Sequence, residues 1–329
     1  MTLVARLKPV TTDKIYVDRG QPPEEDLKKL KETLNRLASN GGITERDEQL
    51  LEYLRELSVL SIDQIHRLMF PQAKLRTAYQ RMVTLGKNKL ISSARIPRTG
   101  MQEWGLPVGK VYSLGVGGRL WLAEEVNSEV IPRHLKRDQV LHDLLVSETC
   151  MRLIEAVYRR GQAWSLTWVN ERAASFYAHE QDHYPTLMPD GLAVVRRKQA
   201  GKSASLPFFL ELDSSREAHG RPSSDWGRKI MGYDQFRDND DQWKRHPHLA
   251  GLPNFPLVAV VTHGEQRLHH LAAAIAEKRK NPVIYYMALW EDLAAGDDIL
   301  KAPAWLIVAP DGQLVGENRA DRQPLLAID

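Results

Sequence analysis

Between Gln64 and Gln102 the chain contains no Asp or Glu, yet Arg67, Lys74, Arg76, Arg81, Lys87, Lys89, Arg95 and Arg98 all fall inside that window. A field of one sign attracts polyanions. The alternative is a basic face that is merely solvated. Acidic residues collect elsewhere, from Glu45 to Glu56 and from Asp234 to Asp241. The hydrophobic pattern beneath the charges decides what this stretch can fold into. Thr44 reads as a helix N-cap followed by acids, with Leu50, Leu51, Leu54 and Leu57 at helical spacing. Ser61 opens a second helix carrying Ile62, Ile65, Leu68 and Met69 on one side, and Phe70-Pro71 ends it. A third helix is predicted from Lys74 to Leu85, with Leu75, Tyr79, Met82 and Leu85 inward and Gly86 as its stop. Leu90-Ile91 begins a strand, and Val111 to Leu114 is its return partner across a mostly basic loop.

Three short helices and a β-hairpin form a winged helix-turn-helix pattern, whose third helix enters the major groove while the wing touches phosphate. The DNA-facing set is then Lys74 at the helix start, Arg76, Gln80 and Arg81 toward the groove, and Lys87, Lys89, Arg95 and Arg98 on phosphate. Winged helices also mediate protein contacts, so a protein partner stays open as the alternative. Ahead of this module, Pro23 to Ala38 reads as a helix with Leu27, Leu30, Leu34 and Leu37 on one stripe, closed by Asn40-Gly41-Gly42.

A chain of 329 residues has room for about two domains. Hydrophobic residues at 43% and charged residues at 26% exclude wholesale disorder. The sequence has no apolar run long enough to span a membrane and no signal-peptide pattern at its start. Cys150 is alone, so no internal disulfide can form, which fits a reducing, cytoplasmic location. The expected division is a 1–42 extension, a 43–130 winged helix and a 131–329 α/β domain.

That last part opens with a helix from Arg137 to Arg160, its apolar side formed by Val140, Leu141, Leu144, Leu145, Met151, Ile154 and Tyr158. Glu148 falls on or beside this buried face, where a carboxylate needs a partner or an outlet to solvent. Strands follow at Trp164–Val169, Gly191–Val195 and Leu206–Leu212, with Lys198 to Ser205 as a joining loop. Then come a helix at Asp225–Phe236, a strand at Pro256–Val261, a helix at Glu265–Lys278, and strands at Val283–Leu289 and Ala304–Val308. The fold class is mixed α/β.

MPDGLAVV places Asp190 at a strand start, and FFLELDSS places Glu211 and Asp213 on another strand, pointing to one face. Converging carboxylates repel each other unless a cation joins them. Oxygen ligands suit Mg²⁺ or Mn²⁺, which can activate water against a phosphodiester. Lys229 and Tyr233 share a face of the following helix. The lysine could stabilise developing charge, and the tyrosine could position DNA or act as a nucleophile. The plainer readings are a salt bridge for Lys229 and ordinary packing for Tyr233.

The order PD, ELD, then helical Lys-x-x-x-Tyr resembles the PD-(D/E)XK nuclease superfamily. With the winged helix before it, the chain resembles the replication-relaxation proteins of plasmids and integrative elements, over roughly residues 44–310. The resemblance implies a restriction-endonuclease-like core in which Asp190 and Glu211 hold metal. It also implies that Glu148 is the further acid many such nucleases carry. One departure is that Asp213 stands where the usual lysine would be, so that Lys229 replaces it from the helix or the site is impaired.

Two functions follow from this. One is a metal-dependent nickase or nuclease acting at a plasmid or transfer origin, with Asp190, Glu211 and Asp213 on metal. The other is a non-catalytic replication initiator or regulator with a silent nuclease fold. A host-defence nuclease would use the same residues. A homodimer fits palindromic sites. His179 and His183 match H-E-x-x-H, but Pro185 follows and no long helix surrounds them, which argues against zinc. His142 reads as structural and the His269-His270 pair as partly exposed, whereas His246 and His248, flanking Pro247 in a loop, could bind a metal by chance. No phosphate-cradling G-x-x-x-x-G-K-[ST] loop occurs, and Gly115 to Gly118 lack dinucleotide-site spacing and read as the end of the wing.

Overall fold

The computed structural model describes residues 24–95, 104–106, 109–126, 137–177, 185–199, 202–213, 225–238, 240–280, 284–316 and 324–325. Arg98, His179 and His183 lie outside them. The chain divides into two compact units, Met1–Met151 and Arg152–Asp329. It is mixed α/β in class.

In the first unit, α1 (Glu24–Ser39) precedes α2 (Glu45–Leu57), β1 (Leu60–Ser61), α3 (Ile62–Met69) and α4 (Leu75–Lys87). Then come β2 (Ile91–Arg95), β3 (Lys110–Leu114) and α5 (Val116–Val126). Both predicted caps form as capping boxes, in which the cap side chain and the side chain three residues on each accept the other's backbone N–H. They are Thr44 with Asp47, and Ser61 with Gln64. The three strands make an antiparallel sheet in the order β1-β3-β2, with Ile91 opposite Leu114 and Leu60 opposite Tyr112.

The face of α4 differs from expectation. Ala78, Met82 and Leu85 are buried, whereas Leu75 and Tyr79 are exposed at 38% and 37%. Spacing of four then three fits the helical period, and it rotates the inward stripe so that Arg81 falls on its margin. Gly86 does not stop the helix. The left-handed residue is Lys89, at φ 57°.

Helix α6 (Arg137–Arg159) gives its first part to this unit and its last part to the second. Its burial exceeds a single stripe, because Cys150, Leu153, Ala156 and Val157 are buried as well as the predicted residues. Tyr158, expected inward, is exposed.

The second unit is built on a seven-stranded sheet in the order β10-β9-β8-β7-β6-β5-β4. Its strands are β4 (Trp164–Asn170), β5 (Gly191–Gln199), β6 (Lys202–Asp213), β7 (Leu257–Thr262), β8 (Tyr285–Leu289), β9 (Leu306–Val308) and β10 (Leu314–Val315). β4, β5 and β6 form an antiparallel meander, β6, β7 and β8 run parallel, and β9 and β10 return antiparallel. The predicted Lys198–Ser205 loop is mostly ladder, since β5 and β6 remain paired out to Gln199 opposite Lys202. Alternation of polar and small residues there hides a strand that has no hydrophobic face to announce it.

Helices α7 (Glu171–Ala174), α8 (Asp225–Asp238), α9 (Asp240–Arg245), α10 (Glu265–Lys278) and α11 (Trp290–Ala295) complete the unit. The core joins Leu192, Val194, Phe209, Val258 and Val260 of the sheet to Trp226, Ile230, Tyr233 and Phe236 of α8 and Leu268, Leu271 and Ile275 of α10. Bulky residues on α8 therefore fix which of its side chains reach the carboxyl end of β6.

Candidate functional site

The site of the second unit lies where β5 begins and β6 ends. Antiparallel pairing sets Gly191 against Leu210, and the Asp190 amide extends the ladder by donating to the Leu210 carbonyl at 3.0 Å. The Asp190 carboxylate accepts the Leu212 amide at 2.6 Å, which locks it beside Glu211.

Glu211 is fully buried, and both its oxygens are used. Lys229 Nζ donates to Oε2 at 2.5 Å, and the Tyr233 hydroxyl donates to Oε1 at 2.6 Å. These donors stand one turn apart on α8, so a single helix face delivers both. The same ammonium lies 4.0 Å from Asp190 Oδ1, making Lys229 a bridge between two carboxylates. It also lies 5.5 Å from the Trp226 ring centre. Burial pushes the Glu211 carboxyl up to about 7; Lys229 pulls it down, Asp190 raises it again, and Tyr233 lowers it. Burial, and then the adjacent Glu211, push the Tyr233 phenol well above its ordinary value.

Asp213 points to the same sheet face but has its own partners. Arg267 of α10 grips both its oxygens, through Nη2 to Oδ1 at 2.5 Å and Nε to Oδ2. Thr262 Oγ1 at 2.9 Å and Trp226 Nε1 at 3.4 Å complete the shell. Sequence reasoning missed Arg267. Its signal was an arginine four residues before Leu271, inside an apolar stripe where a cation needs a buried anion.

Glu148 belongs to the first unit. Arg67 Nη1 binds both its oxygens, at 2.8 and 3.0 Å, and Gln64 Nε2 donates to it at 3.1 Å. The geometry therefore brings Asp190, Glu211, Lys229 and Tyr233 together and gives Glu148 and Asp213 separate arginine partners. Among the described residues, no group of three or more His, Cys, Asp or Glu is arranged to hold a metal. A two-carboxylate set still fits Mg²⁺, which is commonly held by one or two carboxylates, water and substrate phosphate.

On the first unit, Lys74, Arg76, Gln80, Lys87, Lys89 and Arg95 are exposed. Arg81 is instead turned inward, where it binds the Asp47 carboxylate and donates to the Gly42 carbonyl at 2.9 Å. Burial alone would raise the Asp47 carboxyl; its bonds from Arg81 and Thr44 outweigh that and hold it below its usual range.

Of the histidines, His269 and His270 are exposed on α10, and His246 and His248 have ring centres 5.6 Å apart. No helix is long and apolar enough to cross a membrane among the described residues. No curated protein and no solved structure matches the chain. The model of the replication-relaxation family matches residues 51–251, more than half of the 329, and covers the basic helix α4, Asp190, Glu211 and Lys229. The chain belongs to the replication-relaxation family.

Proposed function

We propose that this chain is a DNA-binding protein of plasmid or mobile-element replication or transfer, and that its second unit nicks or cleaves DNA at a divalent-metal site. The first unit serves as a winged helix: α4 enters the major groove with Arg76 and Gln80, while Lys74, Lys87, Lys89 and Arg95 meet phosphate. The observation that carries the catalytic part is Lys229, whose ammonium bridges Glu211 and Asp190 from a helix. It brings a cation to the two carboxylates although Asp213 occupies the usual lysine position.

Asp190 and Glu211 would hold Mg²⁺ or Mn²⁺, which supplies Lewis-acid charge and a more acidic water. Asp213, gripped by Arg267, stiffens the end of β6 and holds α10 to it. Lys229 is placed to offset charge gathering on a phosphate. Tyr233 orients Glu211; a phenol enclosed this deeply, and held protonated by a carboxylate, is a poor nucleophile.

A second reading is favoured by one observation. Glu211 and Asp213 already have protein donors on both oxygens, so their charge is compensated without metal. On that reading the chain is a replication initiator or regulator with a silent nuclease fold.

The deciding experiment follows wild type, Glu211→Gln and Lys229→Met on supercoiled and single-stranded DNA with Mg²⁺, Mn²⁺ or EDTA. Metal-dependent nicking lost in both variants is the expected result. Binding without nicking, equal in all three proteins, leaves the initiator.

A further inference from the structure

The strands that hold the site at one end carry a second polar surface at the other. Directly opposed residues of an antiparallel pair share a face. The register sets Arg196 between Ser165 and Ser205, and Lys198 against Ser203. Thr167, two residues from Ser165, lies on the same face and accepts a hydrogen bond from Arg196 Nη1 at 2.8 Å. Even spacing along β5 and β6 puts this group on the face that bears Asp190 and Glu211, six residues or about 20 Å along the strands.

Near the site that face is covered by α8 and α10. Here it opens: Ser165, Lys198 and Ser203 are exposed, and Arg196, Thr167 and Ser205 are half-buried. No Asp or Glu occurs between Gly191 and Leu210. On the opposite face Arg197 lies 5.5 Å from the Trp164 ring centre, as does Arg160, which is paired with Asp298 at 2.7 Å. Two cations interleaved with hydroxyls, on paired strands whose own sequence carries no acid between Gly191 and Leu210, have the chemistry of a phosphate-backbone contact.

We infer that this shelf is a second DNA-backbone contact, in which Arg196 and Lys198 neutralise phosphates of duplex DNA and the serine hydroxyls hydrogen-bond to them. The inference rests on the DNA-binding reading above and adds a contact that the second unit makes itself. It would hold DNA on this unit independently of α4.

The test measures binding of the full chain to a random-sequence duplex over a salt series. The variants are Arg196→Ala/Lys198→Ala, Lys198→Ala alone, and Arg76→Ala as a reference on α4. Lys198 is exposed, so its single variant keeps the fold even if loss of the Arg196–Thr167 bond does not. Each lost phosphate contact should flatten the log–log salt dependence by about 0.9, so the double variant should lose about 1.8 and Lys198→Ala about 0.9. Unchanged slopes in both shelf variants, with a flattened slope in Arg76→Ala, would overturn this inference and leave the DNA reading standing. No binding by wild type would overturn both. Displacement by polyglutamate as effective as by DNA of equal charge would make the shelf an acidic-protein surface and overturn the assignment.

Discussion

Arg76 and Arg81 lie five residues apart on α4 and meet different surroundings. Arg76 is exposed near the start of α4, whereas Arg81 reaches back to Asp47, whose carboxylate also closes the Thr44 capping box. Removing Arg81 leaves a buried carboxylate with its main cation gone, and Gly42 without its donor. Arg81→Ala should therefore cost about 2 to 3 kcal/mol in denaturant unfolding, discounted for the partial exposure of the guanidinium. Arg76→Ala should leave the unfolding midpoint unchanged and weaken DNA binding instead. The reverse result, with Arg81→Ala stable but unable to bind, would show that Arg81 leaves Asp47 to read DNA. The sequence placed both arginines on the outer face because Leu75 and Tyr79 suggested the wrong phase. Asp47 and the Gly42 carbonyl, both distant in sequence, make the inward turn of Arg81 favourable.

Among elements, the contact between α5 and the turn after α4 has no tolerance. A Cβ on Gly118 would stand 2.2 Å from the Leu90 carbonyl oxygen and 3.0 Å from the Leu114 side chain. The first neighbour is backbone, so nothing can rotate aside. Gly118→Ala should destabilise the first unit by about 2 kcal/mol or more, read as a lower melting temperature, whereas Gly86→Ala, which meets nothing within 4 Å, should be neutral or stabilising. The turn after α9 offers an acid-dependent counterpart in the second unit. His246 packs edge-on against Phe236, and burial, then the neighbouring His248, push its imidazole down to about 4. A depressed histidine stays neutral in the fold while the unfolded chain takes up a proton below about 6.5. Its stability contribution is thus complete above pH 6.5 and is lost as pH falls toward 4, by of order 2 kcal/mol. Glu211 acts with the opposite sign over part of this range, because its raised value favours the fold as pH falls. Comparing wild type with His246→Gln cancels that shared contribution, and the variant should lose less stability than wild type between pH 6.5 and 4. Equal losses would mean that His246 is solvated. Elements with their own caps and apolar stripes, such as α2 and α3, and α10 with its stripe alone, were legible from sequence. The polar outer ends of β5 and β6 were not, because their stability comes from pairing with each other. The partners of Asp213 and Glu148 were hidden for a related reason: a carboxylate's nearest cation is set by the register of other elements.

Across the whole molecule, a metal ion held by Asp190 and Glu211 would show itself as added stability. A ligand that binds only the folded state stabilises it by RT ln(1 + [L]/Kd), about 2.7 kcal/mol at a hundredfold excess over Kd. Wild-type protein should therefore melt higher in Mg²⁺ or Mn²⁺ than in EDTA, in the transition assigned to the second unit. Asp190→Asn should abolish that rise, because it removes a ligand while its neutral amide no longer repels Glu211. Asp213→Asn should behave differently. It leaves Arg267 buried against a neutral partner and lowers the melting temperature in every buffer, yet the metal-induced rise should survive. The pair of variants thus separates the carboxylate that would hold metal from the one that holds the fold. Loss of the rise in both would make Asp213 a ligand and would require Arg267 to release it. No rise in wild type would leave Lys229 as the permanent counter-ion of Glu211, and the second unit would then contribute surface and shape to DNA binding rather than chemistry.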